Sequence, residues 1–129
     1  MNNIMIDIET LDNKPTASIV SIAAAFFDPR TGEIGMSIYI PVNVADAQYK
    51  GATIGADTVK WWMKQNLCAR DELVSDAGLP LSESLYKLND FCCFCDDSED
   101  LKIWARGTDF DLPVIYHSMR LTGIRPAWN

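Results

Sequence analysis

Apolar and polar positions change period along this chain, from the short runs of strands to the longer spacing of helices. Ile4-Met5-Ile6 opens a buried strand, predicted over 3–7, whose run ends in the carboxylates Asp7 and Glu9. A polar turn segment containing Pro15 follows, then a long apolar strand over 19–28 with small residues at Ala23 to Ala25. Asp28-Pro29-Arg30-Thr31-Gly32-Glu33 carries Pro and Gly at turn positions, a hairpin connection to a third strand over 34–40. Sequential strands with short links imply an antiparallel meander.

Beyond Pro41 the period lengthens. Residues 57–65 read as a helix capped at Asp57 or by Thr58, with one of the neighbouring Trp61 and Trp62 packed inward and the other at the rim. Gly78 and Pro80 break the chain before a second helix over 81–95, which sets Leu81, Leu85, Leu88 and Phe91 or Cys92 on one face. Residues 101–105 read as a short buried strand. A turn through Arg106 and Asp109 leads to a third helix over 110–121, with Pro113 in its first turn and Gly123 past its end. The expected order is β-β-β-α-α-β-α, an α/β domain with a mixed sheet.

The pair Asp7 and Glu9 carries the most chemistry. Side chains two apart on a strand share a face, and neighbouring carboxylates resist joint ionisation unless a proton or cation lies between them. A hard divalent ion, Mg²⁺ or Mn²⁺, resolves that conflict with oxygen ligands; a strand end hydrated in solvent is the alternative. Asp109-Phe110-Asp111 is a second acidic cluster, at a strand-to-helix turn where ligands collect in open α/β sheets. Alone, either acid there reads first as a helix cap. Together the two clusters offer acids from two strand ends to one divalent site.

Composition narrows the classes. The chain has 129 residues, 48% hydrophobic and 22% charged, as expected of one folded domain. Its net charge of −7 argues against binding nucleic acid through a broad basic surface, though not against an enzyme that gathers acids round metals. The longest apolar stretch is too short to span a bilayer and no signal segment opens the chain, so a cytoplasmic location and no membrane partner are expected. Cys92, Cys93 and Cys95 form one C-x-x-C without a second pair or a nearby His. Buried or half-buried thiols, with Cys68 a further free Cys, are expected rather than a zinc site.

Asp7-Ile8-Glu9-Thr10 resembles the first motif of the DEDD 3′-5′ exonucleases, which have an RNase H-like fold, and Trp104-Ala105-Arg106-Gly107-Thr108-Asp109-Phe110-Asp111 resembles their second. Residues 57–65 are similar to a helix of the phage and prophage exonuclease VIII-like branch. The resemblance implies an α/β, RNase H-like mixed sheet: an antiparallel three-strand meander plus a parallel strand, flanked by helices. It implies that Asp7, Glu9 and Asp111 are catalytic and hold two Mg²⁺ or Mn²⁺ ions, with Asp109 a neighbour. It also implies substrate contacts at Thr10, Leu11 and Phe110, single-stranded nucleic acid 3′ ends as the partner, and hydrolysis of terminal phosphodiester bonds of DNA or RNA.

Family members carry a fourth aspartate, preceded by a His or Tyr, on a later helix. That segment is expected beyond Asn129, which leaves the C-terminal part of the fold missing from 1–129 and the isolated chain weakly active or inactive. His117, the sole histidine, sits in the helix after the second motif and reads as a surface or interface residue. Arg106 stands where relatives often carry Asn, to meet a phosphate, pair with Asp109 or lie in water. The strand over 101–105 lacks an outer neighbour, so a homodimer through an open sheet edge is expected. Competing readings are a catalytically inactive interaction module or prophage remnant, and another two-metal phosphoesterase on the same fold.

Overall fold

The computed structural model describes residues 1–107 and 109–128; Thr108, within the second acidic motif, and Asn129 lie outside the described residues. Along β1 (Asn3–Thr10), Ile4, Ile6 and Ile8 are buried while Met5, Asp7 and Glu9 alternate to the exposed side. The strand runs on past Asp7, so both carboxylates belong to it. They share a face, as their spacing demands, and it is the face turned away from the isoleucine core.

β1 is central. It pairs antiparallel with β2 (Ile19–Phe27) and parallel with β4 (Lys102–Ala105), and β2 pairs antiparallel with β3 (Ile34–Pro41). The order is β3-β2-β1-β4, the mixed sheet the sequence predicts. β4 is an edge, its outer side unpaired among the described residues. The parallel pairing of β1 with β4 brings their C-terminal ends to the same end of the sheet, which is what allows two distant acidic motifs to meet.

The helices are α1 (Val44–Tyr49), α2 (Ala56–Met63), α3 (Leu67–Val74), α4 (Leu81–Cys92) and α5 (Asp111–Thr122). The sequence reading lacks α1 and α3, and neither has the periodic apolar stripe on which it relied. α1 buries only Ala47, and α3 buries nothing. Both start on asparagine caps instead: the Asn43 side chain accepts from the Asp46 N–H at 3.0 Å, and that of Asn66 from the Ala69 N–H at 2.9 Å. α2 starts at Ala56 behind Gly55, so neither Asp57 nor Thr58 is its cap. The Gly55 N–H donates to Leu11 O at 2.8 Å, a tertiary tie that fixes where the helix begins. α4 stops at Cys92, short of residue 95. Cys92 is buried and its thiol is pushed up to about 12, mainly by burial; Cys95 is half-buried and Cys93 exposed, so Cys92 and Cys95 match the expected setting and Cys93 does not.

α4 and α5 cover the isoleucine face of the sheet. Leu81, Leu85 and Leu88 from α4 and Val114, Ile115 and Met119 from α5 are buried in one cluster with Ile4, Ile6 and Ile22. Phe26 and Phe91 join sheet to helix with ring centroids 5.0 Å apart. α5 closes at Gly123, whose φ of 70° lies in the left-handed region that glycine adopts without steric cost. Among the described residues no helix is long and apolar enough to cross a membrane.

Candidate functional site

The exposed end of β1 carries the first half of the site. Asp7 lies opposite Ala23 of β2, and Glu9 opposite Ser21. These small neighbours leave both carboxylates uncovered from that side. The Glu9 carboxyl is held above the usual carboxylate range, first by burial, then by the charges of Asp7, Glu72 and Asp111.

Asp111 supplies the second half. The Phe110 and Asp111 N–H groups both donate to Gly107 O at 3.0 Å, folding the chain tightly after β4 and starting α5 on Asp111. Asp111 is 7% exposed whereas Asp109 is exposed, so the turn separates the two candidates, and it is Asp111 that is held inside. Its carboxyl is also pushed up, by burial and then by Asp7, against a hydrogen bond from the Gly107 main chain. Asp7 therefore acts on both other acids, and Asp111 also acts on Glu9. No lysine or arginine contributes to either shift. The three carboxylates expected from the sequence are thus brought within electrostatic reach of one another.

Glu72, Tyr39 and Asp12 have no motif to announce them, whereas Trp62 belongs to the 57–65 segment, where one of the two tryptophans is expected to pack inward. Glu72 reaches the site from α3, where it raises the Glu9 pKa and accepts a hydrogen bond from the Tyr39 hydroxyl of β3. Trp62 of α2, 3% exposed, donates its indole N–H to Thr10 O at 2.9 Å. Asp12, buried, accepts from the Thr53 hydroxyl at 2.6 Å and from the Asn13 N–H at 2.8 Å. These contacts pin the segment leaving β1. Of the expected substrate contacts, Thr10 and Phe110 line a pocket beside Glu9 and Asp111. Leu11 is placed differently. It is buried against Val20 and Trp62, its N–H donates to Ser18 O at 2.9 Å, and its carbonyl accepts from Gly55.

Arg106 forms no ion pair among the described residues. His117 is half-buried on α5. Its Nε2 is buried without a hydrogen-bond partner among the described residues, and burial, then Arg120, pushes its pKa below the usual value.

Burial and mutual repulsion together have a measurable consequence. A carboxyl whose pKa is raised by folding favours the protonated native state, so its contribution to stability is lost as pH climbs from the unfolded pKa through the folded one. For Glu9 that window opens at the ordinary value of 4.5. In chelator, Glu9→Gln is therefore expected to gain thermal stability relative to the parent as pH rises above this value, with the two converging below it. Melting curves across pH 4 to 7, an interval set by the ~4.3 reference for Glu, provide the check. A parent that gained on the variant with rising pH would contradict the raised pKa of Glu9.

The donor set suits a hard divalent cation: oxygen ligands only, charges that repel, and no internal cation to balance them. As the side chains stand, no three His, Cys, Asp or Glu among the described residues are gathered closely enough to hold an ion. The chemistry fits, and closing on an ion requires the carboxylates to turn toward one another.

Three comparisons bear on this arrangement. The family model described as 3′-5′ exoribonuclease Rv2179c-like domain matches residues 2–129. An exodeoxyribonuclease of Enterobacteria phage T4 is 27% identical over 128 residues, covering 93% of this chain and 56% of that protein. The crystal structure of cell-death related nuclease 4 (CRN-4) superposes with a TM-score of 0.58 at 14% identity, over 95% of this chain and 40% of the other. The chain thus spans about half the length of the phage relative, and less of the nuclease structure. At such low identity the structural likeness speaks for the fold alone, and it agrees with an RNase H-like mixed sheet. With nearly the whole chain matched, the protein belongs to the 3′-5′ exoribonuclease Rv2179c-like domain family.

Proposed function

We propose that this chain is a metal-dependent 3′-5′ exonuclease of the DEDD class, or the amino-terminal portion of one, acting on single-stranded ends of DNA or RNA. The observation that carries the reading is the electrostatic convergence of Asp7, Glu9 and Asp111 without a neutralising Lys or Arg. Membership of an exoribonuclease-type family and likeness to a phage exodeoxyribonuclease support it.

In this reading Asp7, Glu9 and Asp111 hold Mg²⁺ or Mn²⁺, two ions in the complete site. Bound there, such ions supply Lewis-acid polarisation of the phosphoryl oxygens and compensate developing negative charge. The chain's own residues do the rest. The Ile4, Ile6 and Ile8 side chains lock β1 into the core and hold the Asp7 and Glu9 stems in register. The turn at Gly107 holds Asp111 at the start of α5, where the helix dipole favours its ionised form. Trp62 and Leu11 fix the main chain at Thr10, so that Thr10 and Phe110 present a preformed wall to the last nucleotide. Hydrolysis joins a water oxygen to the terminal phosphorus and breaks its bond to the 3′ oxygen of the preceding nucleotide. The products are a nucleoside 5′-monophosphate and a chain one unit shorter ending in a 3′-hydroxyl; the water's protons pass to the leaving oxygen and to solvent.

The test is digestion of a single-stranded oligonucleotide with Mg²⁺ or Mn²⁺. Whatever digestion occurs should release mononucleotides from the 3′ end, while 3′-blocked and circular molecules are spared. Cutting of circles would overturn the terminal mode of attack. Metal binding with no digestion under any condition would favour a non-catalytic module. The same reading includes a second copy of this chain paired along the unpaired edge of β4. Sedimentation should then show dimer forming with rising concentration, and a monomer throughout would remove that part.

A further inference from the structure

Between Asp57 and Asp71 the chain carries three cations, Lys60, Lys64 and Arg70, and no acid, in a molecule of net charge −7. All three are exposed, and none forms an ion pair among the described residues. Helical spacing puts Lys60, Met63 and Lys64 on one side of α2, opposite the buried Trp62. On α3, Leu67, Arg70 and Val74 recur at the interval of a single face.

The fold leaves the large apolar side chains of this surface in water. Met63 and Leu67 are each 64% exposed and Val74 73%, and α3 buries none of its residues. With Arg70 and Leu73 they line a groove of about 300 Å³, whose acid is Asp71. An exposed apolar surface edged by cations marks a contact with something both anionic and partly apolar. Single-stranded nucleic acid meets that description, with a phosphate at every unit and a flat base beside it. The course of α2 favours it. Asp57 and Thr58 of this helix wall a pocket beside Glu9 and Asp111, and no Lys or Arg lines that pocket among the described residues. A strand ending at the acids finds no cation there for its other phosphates. The same helix presents Lys60 and Lys64 within about two turns of Asp57.

We propose that the outer side of the α2–α3 corner binds the body of the single strand upstream of its 3′ end, with phosphates on Lys60, Lys64 and Arg70 and bases over Met63, Leu67 and Val74. This rests on the exonuclease reading and adds the surface that holds the strand away from the reacting bond. Neutralising a phosphate with Lys or Arg releases condensed counterions, so binding through this surface weakens as salt rises. Contacts to backbone charge and to the faces of bases carry no sequence preference. A local basic patch of this size is compatible with an acidic molecule, because screening confines each charge to its surroundings.

The probe is a fluorescent oligodeoxythymidylate of about twelve nucleotides, within the usual site sizes for single strands. Its anisotropy is followed with the full chain in chelator, so that no digestion intervenes. Three phosphate contacts at about 0.7 each in the salt slope should raise Kd roughly 20-fold from ~50 to ~200 mM salt. Lys60→Gln, Lys64→Gln and Arg70→Gln should each lower the slope by about 0.7, and the triple variant should bind weakly with almost no slope. Asp71→Asn should tighten binding, and Met63→Ser with Leu67→Ser should weaken it at unchanged slope. All of these positions are exposed, so the variants should fold as the parent does. Affinity and slope unchanged in the triple variant overturn the proposal. Vesicles of phosphatidylglycerol bound in preference to the oligonucleotide, or self-association lost in the triple variant, would give the surface to a membrane or a second copy and overturn it as well. With Mn²⁺ added, digestion whose KM is indifferent to the three cations would overturn the strand surface alone. Binding through those cations without any digestion would overturn the nuclease reading alone.

Discussion

Asp7→Asn is expected to remove the stabilisation that Mn²⁺ or Mg²⁺ gives the parent protein, while leaving the metal-free protein as stable as before or more so. The parent should gain RT ln(1 + [L]/Kd), about 2.7 kcal/mol at a hundredfold excess over Kd. For a chain of 129 residues that is a rise on the order of 10 °C in melting temperature. Asp7 is the acid whose charge acts on both Glu9 and Asp111. Its neutralisation therefore takes a ligand from the centre of the set and relieves repulsion in the apo protein at the same time. Any 3′-directed digestion, which the sequence reading expects to be weak in the isolated chain, should fall by about a thousandfold or to background. Loss of several kcal/mol of transition-state stabilisation corresponds to that factor. A thermal shift with Mn²⁺ as large in Asp7→Asn as in the parent would refute the metal assignment.

Trp62→Ala should have the largest effect on the fold. Trp62 is 3% exposed, packed with Leu11 and Val20, and its indole N–H bonds Thr10 O. Truncating a buried tryptophan costs about 3–5 kcal/mol through lost burial and the cavity left behind. That is a large part of the roughly 5–15 kcal/mol by which such domains are stable. Trp62→Phe keeps most of the packing and loses the hydrogen bond, so about 1 kcal/mol is expected plus any cost of leaving Thr10 O unpaired. Urea unfolding of the two variants separates packing from hydrogen bonding. Because Thr10 follows Glu9 directly, Trp62→Phe should also weaken nucleotide affinity without changing the pH profile of stability. An Ala variant as stable as the parent would mean that this small cluster contributes little.

Strand alternation and residue type were enough, from sequence, to place the meander and the pairing of Asp7 with Glu9 on one face; that the last strand runs parallel came only with the family resemblance. These features depend on short-range periodicity, which a folded chain retains because slipping β1 by one residue would expose three isoleucines. The same reasoning found α4 and α5, whose apolar stripes are regular. It could not find α1 or α3, which start on asparagine caps and pack through one or two residues, Ala47 in the main core and Ala69 and Leu73 against Leu11, Val20 and Trp62, rather than through a periodic buried stripe. Nor could it find Gly55 as the cap of α2, offering Asp57 or Thr58 instead, since the tie to Leu11 crosses from one end of the domain's sequence to its middle.

For the candidate site, sequence by itself determined which acids stand in motif positions and which of them share a strand face. Tertiary structure decided the rest. It held Asp111 in and left Asp109 out, brought Glu72 and Tyr39 to the rim, spent the Leu11 main chain on the fold, and exposed Trp61 while burying Trp62. The physical reason is range. Alternation along a strand is set by each residue and its neighbours, whereas a carboxyl's charge environment and an indole's exposure depend on parts of the chain far away in sequence that only folding brings alongside.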